Sequence, residues 1–363
     1  MKLQAGALLA LIGASMAHAG GTERTPQSAM ILYQKGNLVE LGVARVMPKL
    51  SGVMSDTNPS GDIAQDFTSP SLSLKMDLNE KWAMALILDK PWGSDIVYGS
   101  SSAVLDGQEA YADTSAATIL AKYQASKNFS AFGGLRIQRS GGYTILDGAA
   151  YAGLPDQPYE VTFEDQTGLG YVLGVAYEVP ERAMRLALTY NSEVKYDYPT
   201  TETFDGASLG ASADTASVTP QSINIDFQHA LDARTILTAS ARWVEHSAFQ
   251  LTPSVLGSNL VNLNDSTTYR IGVGRAFSRK LSGSLTYAFE PKVTQDASST
   301  SPYDGYKQLS LGVSYKATEQ MEIAGGLSYR LYNDANATVG GSTVGRFEDN
   351  SLTAVGLKMT YRF

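Results

Sequence analysis

Apolar and polar residues alternate along the last stretch of the chain, residues 353–363. One parity holds Val355, Leu357, Met359, Tyr361 and Phe363, and the other holds Gly356, Lys358, Thr360 and Arg362. Because successive side chains of a β-strand point to opposite faces, the pattern predicts a strand with one apolar face and one small or cationic face. A half-buried strand of a soluble sandwich would alternate in the same way, so the interpretation depends on the rest of the chain.

The same period of two recurs in about 14 segments, and their connections alternate between tight turns and long polar loops, as in an antiparallel outer-membrane barrel. A soluble sandwich does not require that alternation. The turn at 77–81 is tight, for example, whereas the segment 94–113 is long and polar. The predicted strands are 37–47, 66–76, 81–89, 114–125, 129–146, 160–178, 183–198, 216–230, 234–250, 264–277, 281–294, 303–316, 321–333 and 346–363.

The polar face of several predicted strands carries ionisable side chains, among them Glu290, Glu322 and Arg330. A charged residue at the lipid midplane of a barrel costs up to roughly 2–4 kcal/mol, so these faces should line a wet interior while the apolar faces meet lipid. Aromatic residues near strand ends suit the girdles at the membrane interfaces; they are Tyr287, Phe289, Tyr315, Tyr329, Tyr361 and Phe363. We therefore predict an all-β, transmembrane antiparallel β-barrel of about 14 strands.

The N-terminus predicts export. Lys2 precedes an apolar run at 5–17, and Ala17-His18-Ala19 fits the cleavage site of a secretory signal peptide. Beyond this leader, no apolar run approaches the roughly 20 residues that a membrane-spanning helix needs. We predict three parts: a signal peptide at 1–19, a short hatch-like segment at 20–36 inside the lumen, and a barrel at 37–363 in the bacterial outer membrane.

Composition excludes several classes of function. The chain has no cysteine and a net charge of −8, so it can hold no disulfide or thiolate-bound metal and shows no basic patch for nucleic acid. It has no phosphate-binding loop and no histidine cluster. Ser247 follows His246 directly, so on a strand the two side chains would point to opposite faces. We expect neither an enzyme nor a bound cofactor or metal.

Several stretches resemble the FadL/TodX family of outer-membrane transporters of hydrophobic compounds. Residues 37–43, followed by Pro48, are similar to the first strand of that family, and 82–98, which contain Pro91-Trp92-Gly93, are similar to its third strand. Residues 170–195, 303–334 and the closing Tyr361-Arg362-Phe363 match as well. The terminal Phe363 also resembles the signal that the barrel-assembly machinery reads.

The resemblance implies a monomeric barrel, surrounded by outer-membrane lipid and lipopolysaccharide, that takes up long-chain fatty acids or related apolar molecules by passive diffusion. It also implies a kinked third strand that opens a gap in the wall, through which ligand leaves sideways. Because Pro removes a ladder donor and Gly weakens packing, we assign Pro91, Trp92, Gly93 and Tyr98 to this gap, an ordinary strand end being the alternative.

One feature departs from the family pattern. The family hatch is longer and carries an Asn-Pro-Ala motif, whereas Thr25-Pro26-Gln27 stands at that place here. The lumen is therefore either closed by a reduced hatch or more open than in typical members. A water-filled porin for small polar solutes, and a structural or adhesive barrel, remain alternative functions.

A carboxylate ligand would need a cation in the lumen. Four basic residues have lumenal parity, and we predict them as candidate ligand contacts: Arg136, Arg270, Arg330 and Lys358. Salt bridges that brace the wall are the alternative role for each of them.

Overall fold

The computed structural model describes residues 22–151 and 157–363, so the predicted signal peptide at 1–19 lies outside the described residues. The first and last strands pair along their whole length, from Leu38 opposite Arg362 to Lys49 opposite Ser351, and this pairing closes the sheet into a barrel. The predicted antiparallel barrel is thereby confirmed. Within the described residues its fourteen wall strands are β1 (Leu38–Lys49), β2 (Phe67–Asp77), β3 (Trp82–Asp89), β4 (Glu109–Gln124), β5 (Phe129–Leu146), β6 (Tyr159–Val179), β7 (Met184–Asn191), β8 (Ser222–Ala230), β9 (Thr235–Val244), β10 (Ser266–Ala276), β11 (Leu281–Glu290), β12 (Tyr306–Lys316), β13 (Met321–Tyr332) and β14 (Ser351–Arg362).

The two faces of the wall follow the alternation of the sequence. On β14, Leu357 is 56% exposed and Thr360 only 1%, and on β12 Leu309 is 49% exposed and Ser314 only 2%. The apolar set points outward and the polar set points into the barrel, as the pattern predicted. No helix of the described chain is long and apolar enough to cross a membrane.

The wall is irregular at two places. After Asp89 the third strand breaks at 90–92 and resumes as Gly93–Val97, which pairs with the start of β4. β7 likewise ends at Asn191, and its continuation, Val194–Tyr198, pairs with Thr215–Thr219. This ribbon leans inward over β6, because a Cβ added at Gly168 would lie 2.5 Å from Val194. The single long strand predicted at 183–198 is thus two strands.

Four short strands form a lid over part of the outer mouth. They come from connections for which the sequence predicts mainly polar loops, and they are Gly52–Met54, Asp296–Ser298, Ala335–Val339 and Ser342–Phe347. Phe347 and Met54 are buried in the core beneath the lid. Short strands that pair between distant loops leave no periodic signal long enough to recognise in the sequence.

Residues 22–36 lie inside the barrel. Met30–Tyr33 form a 3₁₀ helix, and its Leu32 is fully buried in a cluster formed with inward-facing residues of the wall, including Leu120 and Phe132. The Tyr33 hydroxyl lies 2.9 Å from that of Ser130 on β5. These contacts anchor the short N-terminal segment against the wall that runs from β3 to β7.

Candidate functional site: a wall interruption and two cavities

The ladder between β2 and β3 stops before β2 ends. It runs from Asp77 opposite Ala83 to Leu72 opposite Leu88. Residues 67–71 of β2 continue to pair with β1, whereas β3 turns away at 90–92. We call this place the wall interruption, bounded by residues 67–71 of β2 and 89–93 of the third strand.

The N-terminal segment takes up the backbone groups that the break in the third strand releases. The amides of Arg24 and Thr25 donate to the Pro91 carbonyl at 2.8 and 3.3 Å, and the Gly93 amide donates to the Thr22 carbonyl at 2.8 Å. Buried backbone groups need such partners. The segment 22–25 therefore acts as a short substitute strand on the third strand.

Arg24 lies in the wall interruption itself. Its guanidinium carbon lies 4.4 Å from the centre of the Phe67 ring on β2 and 2.3 Å from the position that a Cβ of Gly93 would take. Gly93 pairs with Asp113, and Asp113 has the same parity as the outward-facing Tyr111. The guanidinium thus passes into the wall, toward its outer face, at the place where Gly93 leaves room.

Two cations share the carboxylate of Asp113. Arg24 Nη1 lies 2.9 Å from Oδ1, and Lys90 Nζ lies 2.7 Å from Oδ2. An arginine guanidinium does not lose its proton in proteins, so the Arg24 side chain remains a cation. Its Nε is buried and has no hydrogen-bond partner among the described residues.

An apolar cavity lies on the outer side of the N-terminal segment. It extends to the wall interruption, because Arg24, Phe67 and Gly93 line it together with apolar residues of the outer loops and strand ends. Those apolar residues include Phe163, Tyr198, Phe249, Leu251, Leu260 and Leu352. The cavity therefore offers an apolar ligand a binding surface that leads to the interruption.

A second cavity lies on the periplasmic side of the same segment and is lined by Asp226, Arg242, Arg270 and Lys358. It is the larger of the two, about 330 Å³ against about 140 Å³, so size alone would favour it as the ligand site. Its charged lining, however, suits water and polar groups. The lining therefore favours the outer cavity for apolar molecules.

Arg242 ties the N-terminal segment to the wall between the cavities. This fully buried side chain donates from Nε to Glu23 at 2.5 Å and from Nη2 to Gln27 at 3.1 Å. Pro26 accepts a bond from the Asn224 amide at 3.0 Å, and Thr25 donates to Asp89 at 2.8 Å. The predicted hatch residues Thr25, Pro26 and Gln27 thus all have polar contacts with the inner wall.

The four candidate cations divide into two pairs. Arg270 and Lys358 line the inner cavity, and Arg270 Nη2 is buried without a partner among the described side chains. Arg136 instead donates to Thr118 and Asn191, each at 3.0 Å. Arg330 is fully buried 3.7 Å from the centre of the Tyr306 ring.

The four residues assigned to the gap lie at two different places in the fold. Pro91, Trp92 and Gly93 form the break in the third strand, where the Trp92 amide donates to Thr114 Oγ1 at 2.9 Å. Tyr98 lies elsewhere, because it is buried in the core beneath the lid and donates to the Ser299 carbonyl at 2.7 Å.

Sequence reasoning missed Arg24, Phe67 and Asp113. Their only signal was that Arg24 directly precedes Thr25-Pro26-Gln27. No local pattern shows that these three side chains meet, because they come from three separate parts of the chain.

Three solved structures share this architecture over nearly their whole length. A Pseudomonas aeruginosa FadL homologue is 16% identical with a TM-score of 0.75, and 97% of each chain is covered. The Pseudomonas putida toluene transporter TodX is 16% identical with a TM-score of 0.69, covering 96% of this chain and 97% of that one. The CymD monoaromatic hydrocarbon channel is 14% identical with a TM-score of 0.62, covering 96% of each chain. At these identities the likeness shows the fold.

No match was found among curated protein sequences. The family model described as outer membrane protein transport protein (OMPP1/FadL/TodX) matches residues 10–363. The chain therefore belongs to this family of outer-membrane channels for hydrophobic compounds, and its location is the bacterial outer membrane.

Proposed function

We propose that the protein admits long-chain fatty acids or related apolar molecules by passive diffusion, and that ligand leaves sideways through the wall interruption. One observation carries this proposal: the outer apolar cavity shares Arg24, Phe67 and Gly93 with the interruption, whereas the N-terminal segment separates it from the charged inner cavity. An apolar molecule in the outer cavity thus lies beside the wall interruption.

The energetics favour the sideways route. Each buried CH₂ group is worth about 0.8 kcal/mol, so moving ten of them into water would cost roughly 8 kcal/mol. The inner cavity presents Asp226, Arg242 and Arg270 to such a molecule. Lipid outside the interruption offers it an apolar phase instead.

The protein acts in this proposal as a monomer without enzymatic activity, in contact with outer-membrane lipid and lipopolysaccharide. The ring of outward apolar side chains supports the lipid contact, since Leu135, Leu186, Leu285 and Leu357 are each at least 42% exposed. Phe363 is the proposed signal for the barrel-assembly machinery.

A reversible disulfide lock tests the sideways exit. Glu23 and Trp92 form an antiparallel bridge, which places Cα atoms about 4.5–5.5 Å apart, a separation that suits a disulfide. The chain has no cysteine of its own, so Glu23→Cys with Trp92→Cys gives one defined crosslink. We expect oxidation to reduce uptake of labelled dodecanoate and toluene by host cells to background, and a reductant to restore it.

The two single-cysteine variants are the controls, since neither should respond to oxidation. Unchanged uptake by the oxidised double variant would show that ligand can leave the barrel while the N-terminal segment stays attached to the third strand. Swelling of protein-containing liposomes in small sugars would favour the water-filled porin. Failure of both solute classes to enter faster than in a host without the protein would favour a structural barrel.

A further inference from the structure

We infer that Arg24 is a releasable latch in the wall interruption and that it makes the channel selective for carboxylate-bearing amphiphiles over neutral molecules of the same length. This inference rests on the proposed function, which leaves the ligand class open between fatty acids and neutral apolar compounds. It concerns the side chain that lies in the interruption and that a ligand must displace, together with the backbone of residues 22–25, to leave through it.

The closed position of Arg24 is well defined. Its guanidinium is packed between the Phe67 ring and Gly93, is only 6% exposed, and forms an ion pair with Asp113 at 2.9 Å. A ligand cannot pass between β2 and the third strand while the guanidinium lies there. Opening therefore requires breaking the pair between Arg24 and Asp113.

The groups around Arg24 make this pair reversible. Asp113 keeps Lys90 on its other oxygen at 2.7 Å when Arg24 leaves, so its charge stays compensated. Arg24, by contrast, would enter a mainly apolar cavity without its ion pair, which is costly, and the charge of Asp95 in the cavity lining offsets only part of that cost. The latch can therefore open readily only if something else takes the guanidinium.

A carboxylate in the outer cavity supplies that partner. Arg24 Nε is buried without a hydrogen-bond partner among the described residues, so a headgroup that draws the guanidinium into the cavity that Arg24 lines gives this donor its first partner. Arginine and carboxylate form strong, directional hydrogen bonds. A neutral alcohol or hydrocarbon forms much weaker interactions with the guanidinium. Asp95 also lines the cavity, and its negative charge repels a ligand carboxylate, which reduces this advantage.

The ligand would lie with its tail among apolar residues and its carboxylate at Arg24. The tail would contact Phe163, Tyr198, Leu251 and Leu260, which line the same cavity. Binding and opening are then coupled, because the headgroup that holds the ligand also removes Arg24 from Asp113.

The test compares uptake of radiolabelled dodecanoate and 1-dodecanol by a Gram-negative host that lacks its own channel of this kind. For the wild-type protein we expect channel-dependent uptake to favour dodecanoate by about tenfold, equivalent to about 1.4 kcal/mol. Arg24→Met keeps much of the side-chain length but removes the charge, and it should bring this ratio close to one. Arg24→Lys should retain part of the preference.

Asp113→Asn tests the latch from its other side, since it should raise uptake of dodecanol and thereby lower the ratio. Arg275→Met is the matched control, because Arg275 pairs with Asp232 at 3.8 Å at the exposed tight-turn end of β9 and β10, away from the interruption, and its loss should leave the ratio as in wild type. Heat-modifiable migration on gels checks that each variant is a folded barrel.

A wild-type ratio in Arg24→Met, or equal uptake of the two solutes by the wild-type protein, would overturn the inference and leave the proposed function standing. If neither solute entered faster than in the host alone, the proposed function would fail with it.

Discussion

His246 packs against the break in the third strand, where an outer loop leaves β9. Its ring lies edge-on to that of Trp92, with centroids 6.0 Å apart, and both ring nitrogens are buried without a hydrogen-bond partner in the described parts of the chain. Burial, reinforced by the Arg242 charge and opposed by Asp265, lowers the pKa of His246 to about 4. The ring is therefore neutral at pH 7.

This shift predicts that the docking of the loop depends on pH. An unfolded histidine titrates near pH 6.5, so the docked state binds fewer protons than the undocked state between about pH 6.5 and 4. Docking should be at full strength above that window and weaken as the pH falls through it. We expect faster hydrogen exchange in residues 246–263 at pH 5 than at pH 7.5, after correction for the intrinsic rate.

His246→Phe should abolish this pH dependence, because the ring is then neutral at every pH. His229→Asn, which removes the other histidine of the described chain, should keep it. Equal corrected exchange at both pH values in the wild-type protein would show that His246 does not control the loop.

At the scale of the element, the break in the third strand depends on the N-terminal segment as much as on its own residues. Pro91 supplies no amide for a ladder, but its carbonyl accepts bonds from Arg24 and Thr25. Gly93 is needed for space rather than for backbone freedom, because the Arg24 guanidinium takes the volume of its missing side chain. The third strand and the N-terminal segment are thus complementary in both hydrogen bonding and shape.

Gly93→Ala should therefore loosen the N-terminal segment. The added methyl group would lie 2.3 Å from the Arg24 guanidinium carbon, so the guanidinium has to move away from Asp113, with which it pairs at 2.9 Å. A side-chain end can shift more easily than backbone, so we take the lower end of overpacking costs, about 1 kcal/mol, and expect trypsin to cleave the purified protein after Arg24 about five times faster. Gly99→Ala is the control, since nothing lies within 4 Å of an added Cβ there. Equal cleavage rates in the two variants would contradict this account.

For the whole molecule, the main consequence of the fold is that one short segment divides the lumen. Residues 22–24 line the outer cavity, whereas residues 25–28 line the inner one. The segment is attached to the inner wall by hydrogen bonds with Arg242, Asn224 and Asp89. A barrel of this size has a lumen that the side chains of its own wall do not fill. The N-terminal segment is therefore what separates the two cavities.

Removing residues 22–36 should join the two cavities. We expect liposomes that contain the shortened protein to swell in small sugars at least several times faster than liposomes with the full chain, because the remaining lumen is lined by charged groups that hold water. Stachyose, which is larger, should enter more slowly than arabinose and so show that the path is a pore. If the shortened protein caused no more swelling than the full chain, the segment would not be the barrier.

The period of two and the alternation of tight turns with long loops were enough to predict the barrel, its inward and outward faces and its aromatic girdles. Each of these properties depends on neighbours along one strand or across one turn. The predicted outward residues Tyr315, Tyr329 and Tyr361 are each at least 42% exposed, and the predicted inward Ser282 is 3% exposed.

The tertiary structure alone decided how the lumen is closed. Arg24, Phe67 and Asp113 meet although they are far apart in the sequence, Tyr98 joins the core beneath the lid, and Arg136 and Arg330 enter networks of the wall instead of the cavities. The physical reason is that parity assigns a side chain to the lumen but not to a partner. Which lumenal groups meet depends on how the closed sheet and the N-terminal segment fill the same space.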